Sequence, residues 1–245
     1  MQVPATVIEA MTRLPLVLLP GTLCDARVWR AQVNALSGER QVLVCQLGDE
    51  DTMEKEVTAH LKHLPPRFFI AGFSLGGIVA FEFYRQARER IAGLALIASN
   101  ARSDPDASKL KRHNLVAQAK RGDIAGVLQN ELLPKYFSEL CENREALSDL
   151  IVAMATATAP RFENQSAYAG ERPDSRVMLS SMHVPVLILF GRDDRVVPRE
   201  RQTEMAAAMP HAVMQEVARC GHFVPLEAPN ACSLALQRWM GSAED

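Results

Sequence analysis

The sequence has almost no excess of charge of either sign: 27 Lys and Arg stand against 29 Asp and Glu, a formal net charge of -2. Such a balance leaves no electrostatic footprint for nucleic acid or for an extended anionic surface. It also has no long hydrophobic run. Residues 14–19 and 184–190 are strand-sized and contain or adjoin proline, so neither spans a bilayer. Cysteines are few and unpatterned. Cys24, Cys45, Cys141, Cys220 and Cys232 are odd in number and never spaced as Cys-x-x-Cys. That speaks against a disulfide framework and a structural zinc site, and favours reduced thiols in a cytoplasm. The opening Met1-Gln2-Val3-Pro4-Ala5-Thr6 lacks a basic region followed by an apolar stretch and a cleavage site, so export by that route is not expected. Internal repeats and low-complexity linkers are absent as well. What is present is ordinary globular composition, 48% hydrophobic and 23% charged, which excludes wholesale disorder. The 245 residues fit one domain, or one domain carrying an insertion.

Hydrophobic patterning alternates between strand and helix. Residues 14–19 form a continuous apolar run closed by Pro20-Gly21, the pattern of a strand buried on both faces. Strands are also expected over 41–47, 67–73 and 93–98. Helices are expected between them over 27–36, over 53–64 ahead of Pro65-Pro66, and over 76–90. This alternation predicts an α/β fold, a mostly parallel sheet of six or seven strands with helices on both faces. From 101 to 182 the rhythm breaks, and only helices are expected, near 107–121, 124–132, 144–155 and 161–168. Strands resume at 184–190 and 212–217, and a helix over 230–240 closes the chain. The organisation expected is a core of residues 1–100 and 183–245 with a helical insertion over 101–182, late in the sheet.

Gly72-Phe73-Ser74-Leu75-Gly76-Gly77 follows a buried strand and opens a helix. Gly-x-Ser-x-Gly in that context marks a sharp turn that exposes the serine hydroxyl, with small residues two before and two after because backbones approach closely there. A helix start with packing glycines is the plainer reading of the same five residues. The N–H of Leu75 would face an anion at the helix start. A serine hydroxyl needs a base, and His222 is the best placed of six histidines, in a loop after the last expected strand. His60 and His63 sit on a helix face, where a solvated role is simpler. The base needs an orienting carboxylate. Asp193 and Asp194 both follow the strand 184–190, and composition does not choose between them. Serine, acid and histidine in that chain order suit one class of hydrolase. A second oxyanion donor is expected from the loop Leu19-Pro20-Gly21-Thr22-Leu23, where Thr22 would present its N–H opposite that of Leu75.

These pieces together resemble the α/β-hydrolase superfamily across nearly the whole chain outside the insertion. The matching segments are Leu19-Pro20-Gly21-Thr22, Gly72 to Gly77, Gly191-Arg192-Asp193-Asp194-Arg195-Val196-Val197-Pro198 and Gly221-His222-Phe223-Val224-Pro225-Leu226-Glu227-Ala228-Pro229. The resemblance implies that the acid is the fourth residue of Gly-x-x-Asp-x-x-x-Pro, which is Asp194. It implies that the insertion is a cap over the active site. Pro20-Gly21 stands where many relatives have His-Gly, and the short lead before the first central strand implies a truncated leading hairpin. Length and layout are similar to carboxylesterases of the pimeloyl-carrier-protein methyl esterase type.

The function expected is cleavage of a carboxylic ester by Ser74, Asp194 and His222 through an acyl-enzyme, with Thr22 and Leu75 as oxyanion donors and no cofactor or metal. A thioesterase, lactonase or carbon–carbon bond hydrolase would use the same three residues, and a slow-turnover ligand receptor could keep them. Dehalogenation is disfavoured, because the resemblance places Asp at position 74 in that class. Leu23, Phe73, Phe137, Phe162 and Phe223 are pocket candidates, and Met154 a further one; core packing is the plain alternative for each. The expected partner is a small-molecule ester or related acyl substrate, with no nucleic acid and no membrane. Lys109, Lys111, Arg112, Lys120 and Arg121 make the early insertion basic. A solvated helix face accounts for them, and docking of an anionic or carrier-linked acyl group is the sharper reading.

Overall fold

The computed structural model describes residues 13–244. Six strands form one sheet: β1 (Leu16–Leu19), β2 (Val42–Val44), β3 (Phe68–Phe73), β4 (Ile91–Ile97), β5 (Val186–Gly191) and β6 (Val213–Val217). Their spatial order is β2-β1-β3-β4-β5-β6, and every pairing is parallel. The expectation of a truncated leading hairpin concerns the first 12 residues, which lie outside the described part of the chain.

Continuous apolar runs give strands that are dry on both faces. β1, β3, β4 and β5 are buried at every position. Their side chains alternate between two cores. Leu16, Leu18, Phe69, Ala71, Leu187 and Leu189 point into one, with Trp29 and Trp239. Val17, Leu19, Phe68, Ile70, Leu94 and Ile188 point into the other, with Val79 and Phe83. The period of two along each strand is what divides the sheet's faces.

The connecting helices are α1 (Arg30–Leu36), α2 (Met53–Leu61), α3 (Leu75–Ala87), α4 (Asp106–Lys120), α5 (Arg144–Thr158), α6 (Phe162–Glu171), α7 (Arg199–Ala208) and α8 (Pro229–Glu244). Thr52 caps α2 by accepting from Lys55 N at 3.3 Å. Among the described residues no strand occurs between Ile97 and Val186, and α4, α5 and α6 lie there. The expected helix over 124–132 is a short turn, Ile124–Gly126, continued by a wide π-type turn, Val127–Leu132. Pro134 sits in the 3₁₀ turn that follows and removes a backbone donor.

Two other expectations shift. The strand expected over 41–47 pairs only over Val42–Val44, because it is an edge and its continuation turns to other partners. The Gln46 and Leu47 carbonyls bond the His60 ring and the Gln165 amide instead. Helix α7 has no counterpart in the sequence reading. Its RERQTEMAAA sequence buries only Gln202 and Met205, too few for a helical stripe to stand out.

The strand order reverses direction between β1 and β3, and the loops leaving their carboxyl ends diverge there. A crevice at such a switch point is where open α/β sheets bind ligands. β3 enters α3 at this place only because Gly72 and Gly76 lack side chains. A Cβ on Gly72 would collide with the Gly76 carbonyl, and one on Gly76 with the Leu19 carbonyl.

Gly72→Ala is therefore expected to cost about 3 kcal/mol, as overpacking against backbone does, lowering Tm by roughly 6–12 °C for a domain of this size. Gly38→Ala, with nothing within 4 Å of the added carbon, is the control and should leave Tm within about 2 °C. Thermal melts of both variants by circular dichroism check the contrast.

Candidate active site

Ser74 lies between β3 and α3 with φ 52 and ψ -111, a left-handed backbone that a side chain rarely adopts. Strain of this kind costs about 1–3 kcal/mol and persists only where surrounding bonds hold it. Ser74 N donates to the Ile97 carbonyl at 2.8 Å. The Ser74 carbonyl accepts from Gly77 N at 3.0 Å and from Ser99 Oγ at 2.8 Å. The turn is thus anchored to β4 and to the residues just beyond it.

His222 follows β6, and its ring is 3% exposed. Its Nε2 lies 3.0 Å from Ser74 Oγ, and its Nδ1 lies 2.9 Å from Asp194 Oδ2. The other oxygen, Asp194 Oδ1, accepts from Val196 N at 2.8 Å and Val197 N at 2.9 Å. Those two N–H groups aim the carboxylate, which in turn aims the imidazole. Asp193 faces elsewhere: its Oδ2 accepts from Ser138 Oγ at 2.6 Å. Neighbouring in sequence, the two aspartates are separated by the turn after β5.

Thr22 and Leu75 line the same cavity as Ser74 and His222. Among the described residues neither backbone N–H has a hydrogen-bond partner. Leu23, the next residue, has φ 57, and its N–H donates to Gln165 Oε1 at 2.8 Å. Gln165 Nε2 donates to the Leu47 carbonyl at 2.8 Å. This fully buried amide from α6 therefore ties the loop after β1 to the chain after β2.

The cavity measures about 420 Å³, inside the range of small-molecule sites, about 300–1,000 Å³. Of the pocket candidates, Phe73, Phe162 and Phe223 line it. Leu23, Phe137 and Met154 are buried but not part of its wall. Leu23 is held away by its bond to Gln165, and Phe137 packs behind Phe223, ring centres 6.3 Å apart. Tyr136, which the sequence reading passed over, does reach the cavity. Its ring stacks on His222 at 5.9 Å, and its carbonyl accepts His222 N at 2.7 Å.

Glu227 is a second residue without an obvious signal beforehand. Its carboxylate accepts three backbone N–H groups, from Gly221, Phe223 and Ser138, each at 3.0 Å. Burial pushes its carboxyl up, and those three donors act in the opposite sense. Two of them flank His222, so Glu227 shapes the loop that carries the imidazole. Its place five residues after the histidine, in Gly221 to Pro229, was the available hint. Burial also pushes up the thiols of Cys24 and Cys220, which leaves both near the site but protonated. Among the described residues no cluster of three His, Cys, Asp or Glu is arranged to hold a metal, and no helix is long and apolar enough to cross a membrane.

A serine hydroxyl at 3.0 Å from an imidazole that is itself oriented by a carboxylate can lose its proton as it attacks a carbonyl. If this arrangement acts as such, Asp194→Asn lowers kcat by about 10^4-fold through the wrong imidazole tautomer. Asp193→Asn, which loses at most one hydrogen bond to Ser138, stays within about tenfold of the parent. Steady-state kinetics on an aryl ester checks the ranking, and the reverse order would give the orienting role to Asp193.

Comparison with known proteins agrees with this architecture. The profile of the alpha/beta hydrolase family matches residues 16–233. The dihydrolipoyllysine-residue acetyltransferase component of the acetoin cleaving system of Pseudomonas putida is 27% identical over 236 residues, covering 87% of this chain. The chain spans only 60% of that relative's length. The pimeloyl-[acyl-carrier protein] methyl ester esterase of Nitrosomonas europaea is 27% identical over 232 residues, 87% of this chain and 90% of that one. Among solved structures, a thermophilic esterase from Thermogutta terrifontis superposes with a TM-score of 0.86 at 27% identity, covering 96% of this chain and 92% of that one.

Proposed function

The chain belongs to the alpha/beta hydrolase family, and on that premise we propose that it is a serine hydrolase cleaving carboxylic esters of small or medium acyl chains. The observation that carries this reading is the unbroken line Asp194 Oδ2–His222 Nδ1, 2.9 Å, and His222 Nε2–Ser74 Oγ, 3.0 Å. Esterase relatives at 27% identity support the choice of ester over other acyl substrates.

In the proposed reaction His222 takes the Ser74 proton as Oγ attacks the ester carbonyl. Asp194 holds the imidazole and stabilises its cation. The N–H groups of Thr22 and Leu75 receive the oxyanion; one such donor is worth about 100–1000-fold in rate. Their lack of other partners supports that assignment, above all for Leu75, which is buried, since a buried free donor is costly without a use. The tetrahedral intermediate collapses, and the alcohol leaves with the proton from His222. His222 then takes a proton from water as the water oxygen attacks the acyl carbon, and returns it to Ser74 Oγ as the C–Oγ bond breaks and the carboxylic acid leaves. Residues 101–182 act as a cap whose aromatic side chains, Tyr136 and Phe162, complete the wall over Ser74. These steps require no organic cofactor, and the site of action fits the cytoplasm suggested by unpaired thiols.

Ser74→Ala is expected to cut ester turnover by at least about 10^4-fold and to abolish labelling by a fluorophosphonate, with an unchanged circular dichroism spectrum. A variant that keeps full activity would place the nucleophile elsewhere. Profiling the parent protein on methyl esters of increasing chain length reads the acyl preference.

A further inference from the structure

The wall of the cavity is aromatic beside His222 and charged elsewhere. Asn100 and Asp104 after β4, Arg112 on α4, Ser166 on α6 and Arg172 just beyond α6 all line it. Asp104 and Arg172 are both more than nine-tenths buried. Asp104 Oδ2 accepts from Arg112 Nε at 2.8 Å, and Asp104 Oδ1 lies 3.0 Å from an Arg172 terminal nitrogen. Arg172 also donates to the carbonyls of Arg102 and Ala169. One carboxylate thus serves two guanidinium groups, and the cluster keeps one positive charge uncompensated. With Arg172 buried and Arg112 partly exposed, that charge stands at the cavity wall, where an anion can pair with it. Burial and the like charge of Arg112 pull the Arg172 guanidinium below its usual range, against the pull of Asp104.

A second observation is independent of charge. Ser166 Oγ is buried, faces this cavity and has no hydrogen-bond partner. Buried hydroxyls are nearly always bonded, and leaving one unsatisfied costs about 1–3 kcal/mol. The terminal nitrogens of Arg112 likewise make no hydrogen bond to a described residue. Free donors, a free hydroxyl and a net positive charge meet in the same space as Ser74 Oγ.

We propose that Arg112, Arg172 and Ser166 form a subsite for a carboxylate carried by the substrate at the end remote from its ester. The substrate class is then a half-ester of a dicarboxylic acid. The proposal rests on the ester-hydrolase reading and narrows it. A carboxylate carries the single negative charge that brings the cluster to neutrality, and its planar oxygens match the guanidinium fork. An uncharged alkyl tail would leave the net positive charge of the cluster, the terminal nitrogens of Arg112 and the Ser166 hydroxyl without a partner. The span is bounded by the chain itself. Ser99 Oγ touches the Ser74 carbonyl, and Asp104 follows five residues later, at most ~18 Å of backbone. Exposed Lys111, Lys135 and Arg195 at the same cavity add an attractive field, with Glu131 pairing Lys111 at 2.7 Å.

The test compares monomethyl suberate with methyl octanoate on the full-length protein. The parent should prefer the half-ester in kcat/KM by about 10- to 100-fold, the value of a charge-assisted pair. Arg112→Gln should lower that preference ratio by a similar factor, and Arg112→Lys, which keeps charge but loses the fork, by less. Ser166→Ala gives the same direction if Arg112→Gln fails to fold. A ratio near one in the parent, or one unmoved in the folded Arg112→Gln and Ser166→Ala variants, overturns the subsite. Calorimetric titration of Ser74→Ala with monomethyl suberate reads binding without turnover. Heat that weakens in the Ser74→Ala, Arg112→Gln double variant, in a parent that hydrolyses no ester, would sink the hydrolase reading and keep the anion subsite. Turnover of methyl octanoate with no half-ester binding would do the opposite.

Discussion

The close approach of backbone at the β3–α3 turn is the constraint on which the site depends. Gly72, Gly76 and the Leu19 carbonyl occupy space that any Cβ would need. That crowding forces Ser74 into φ 52 and turns α3 back across the sheet. The turn is held by the Ile97 carbonyl and by Ser99 Oγ, both from β4 or the residues after it. Central strands buried on both faces make this possible, because they leave the turn no room to relax. The energy stored in the turn, about 1–3 kcal/mol, is small against the burial of four dry strands.

Placement of His222, the proposed base, is a separate problem, solved by hydrogen bonds more than by packing. The loop that carries His222 receives the Tyr136 carbonyl at the histidine N–H and the Glu227 carboxylate on either side. Gly191 and Gly221 let the loops after β5 and β6 pass in contact, since a Cβ on Gly191 would strike the Gly221 carbonyl. Asp194 can then reach the ring while Asp193 turns to Ser138. A one-residue choice between adjacent carboxylates is thus made by the turn geometry after β5.

Much of the fold was legible beforehand because its signals are local. Four apolar runs bounded by glycine and proline mark the central strands, and their ends fall within two residues of the expected positions at 14–19, 67–73, 93–98 and 184–190. The edge strand after Gln41 was read too long, since pairing at an edge is decided by competing partners such as Gln165 and His60. Helix α7 escaped because most of its residues are polar, and its burial rests on Gln202 and Met205. The positions of Ser74, Asp194 and His222 were legible through the motifs around them, and the structure puts them within hydrogen-bond reach. Gln165 and Tyr136 were not, because each acts through a backbone group far away in sequence, and Glu227 had only its place five residues after His222 to mark it. Leu23 illustrates the converse: adjacency to a motif does not bring a side chain to the cavity wall, and Phe137 shows the same of membership in the inserted helices.

The helical segment between β4 and β5 is tied to the sheet's loops by buried polar bonds. Tyr136 belongs to it and fixes the His222 backbone, while Gln165 fixes Leu23 beside the proposed oxyanion donor Thr22. Ser138 links it to both Asp193 and Glu227. These are buried polar bonds, each lost at full desolvation cost if the segment shifts. Its position is therefore coupled to the geometry at Ser74 from two sides, through the loop of His222 and the loop after β1. Side chains on α4 and α6 consequently stand in a fixed relation to the serine hydroxyl. A cavity wall built that way can measure the distance between two groups of a substrate, which a loosely tethered cover cannot do.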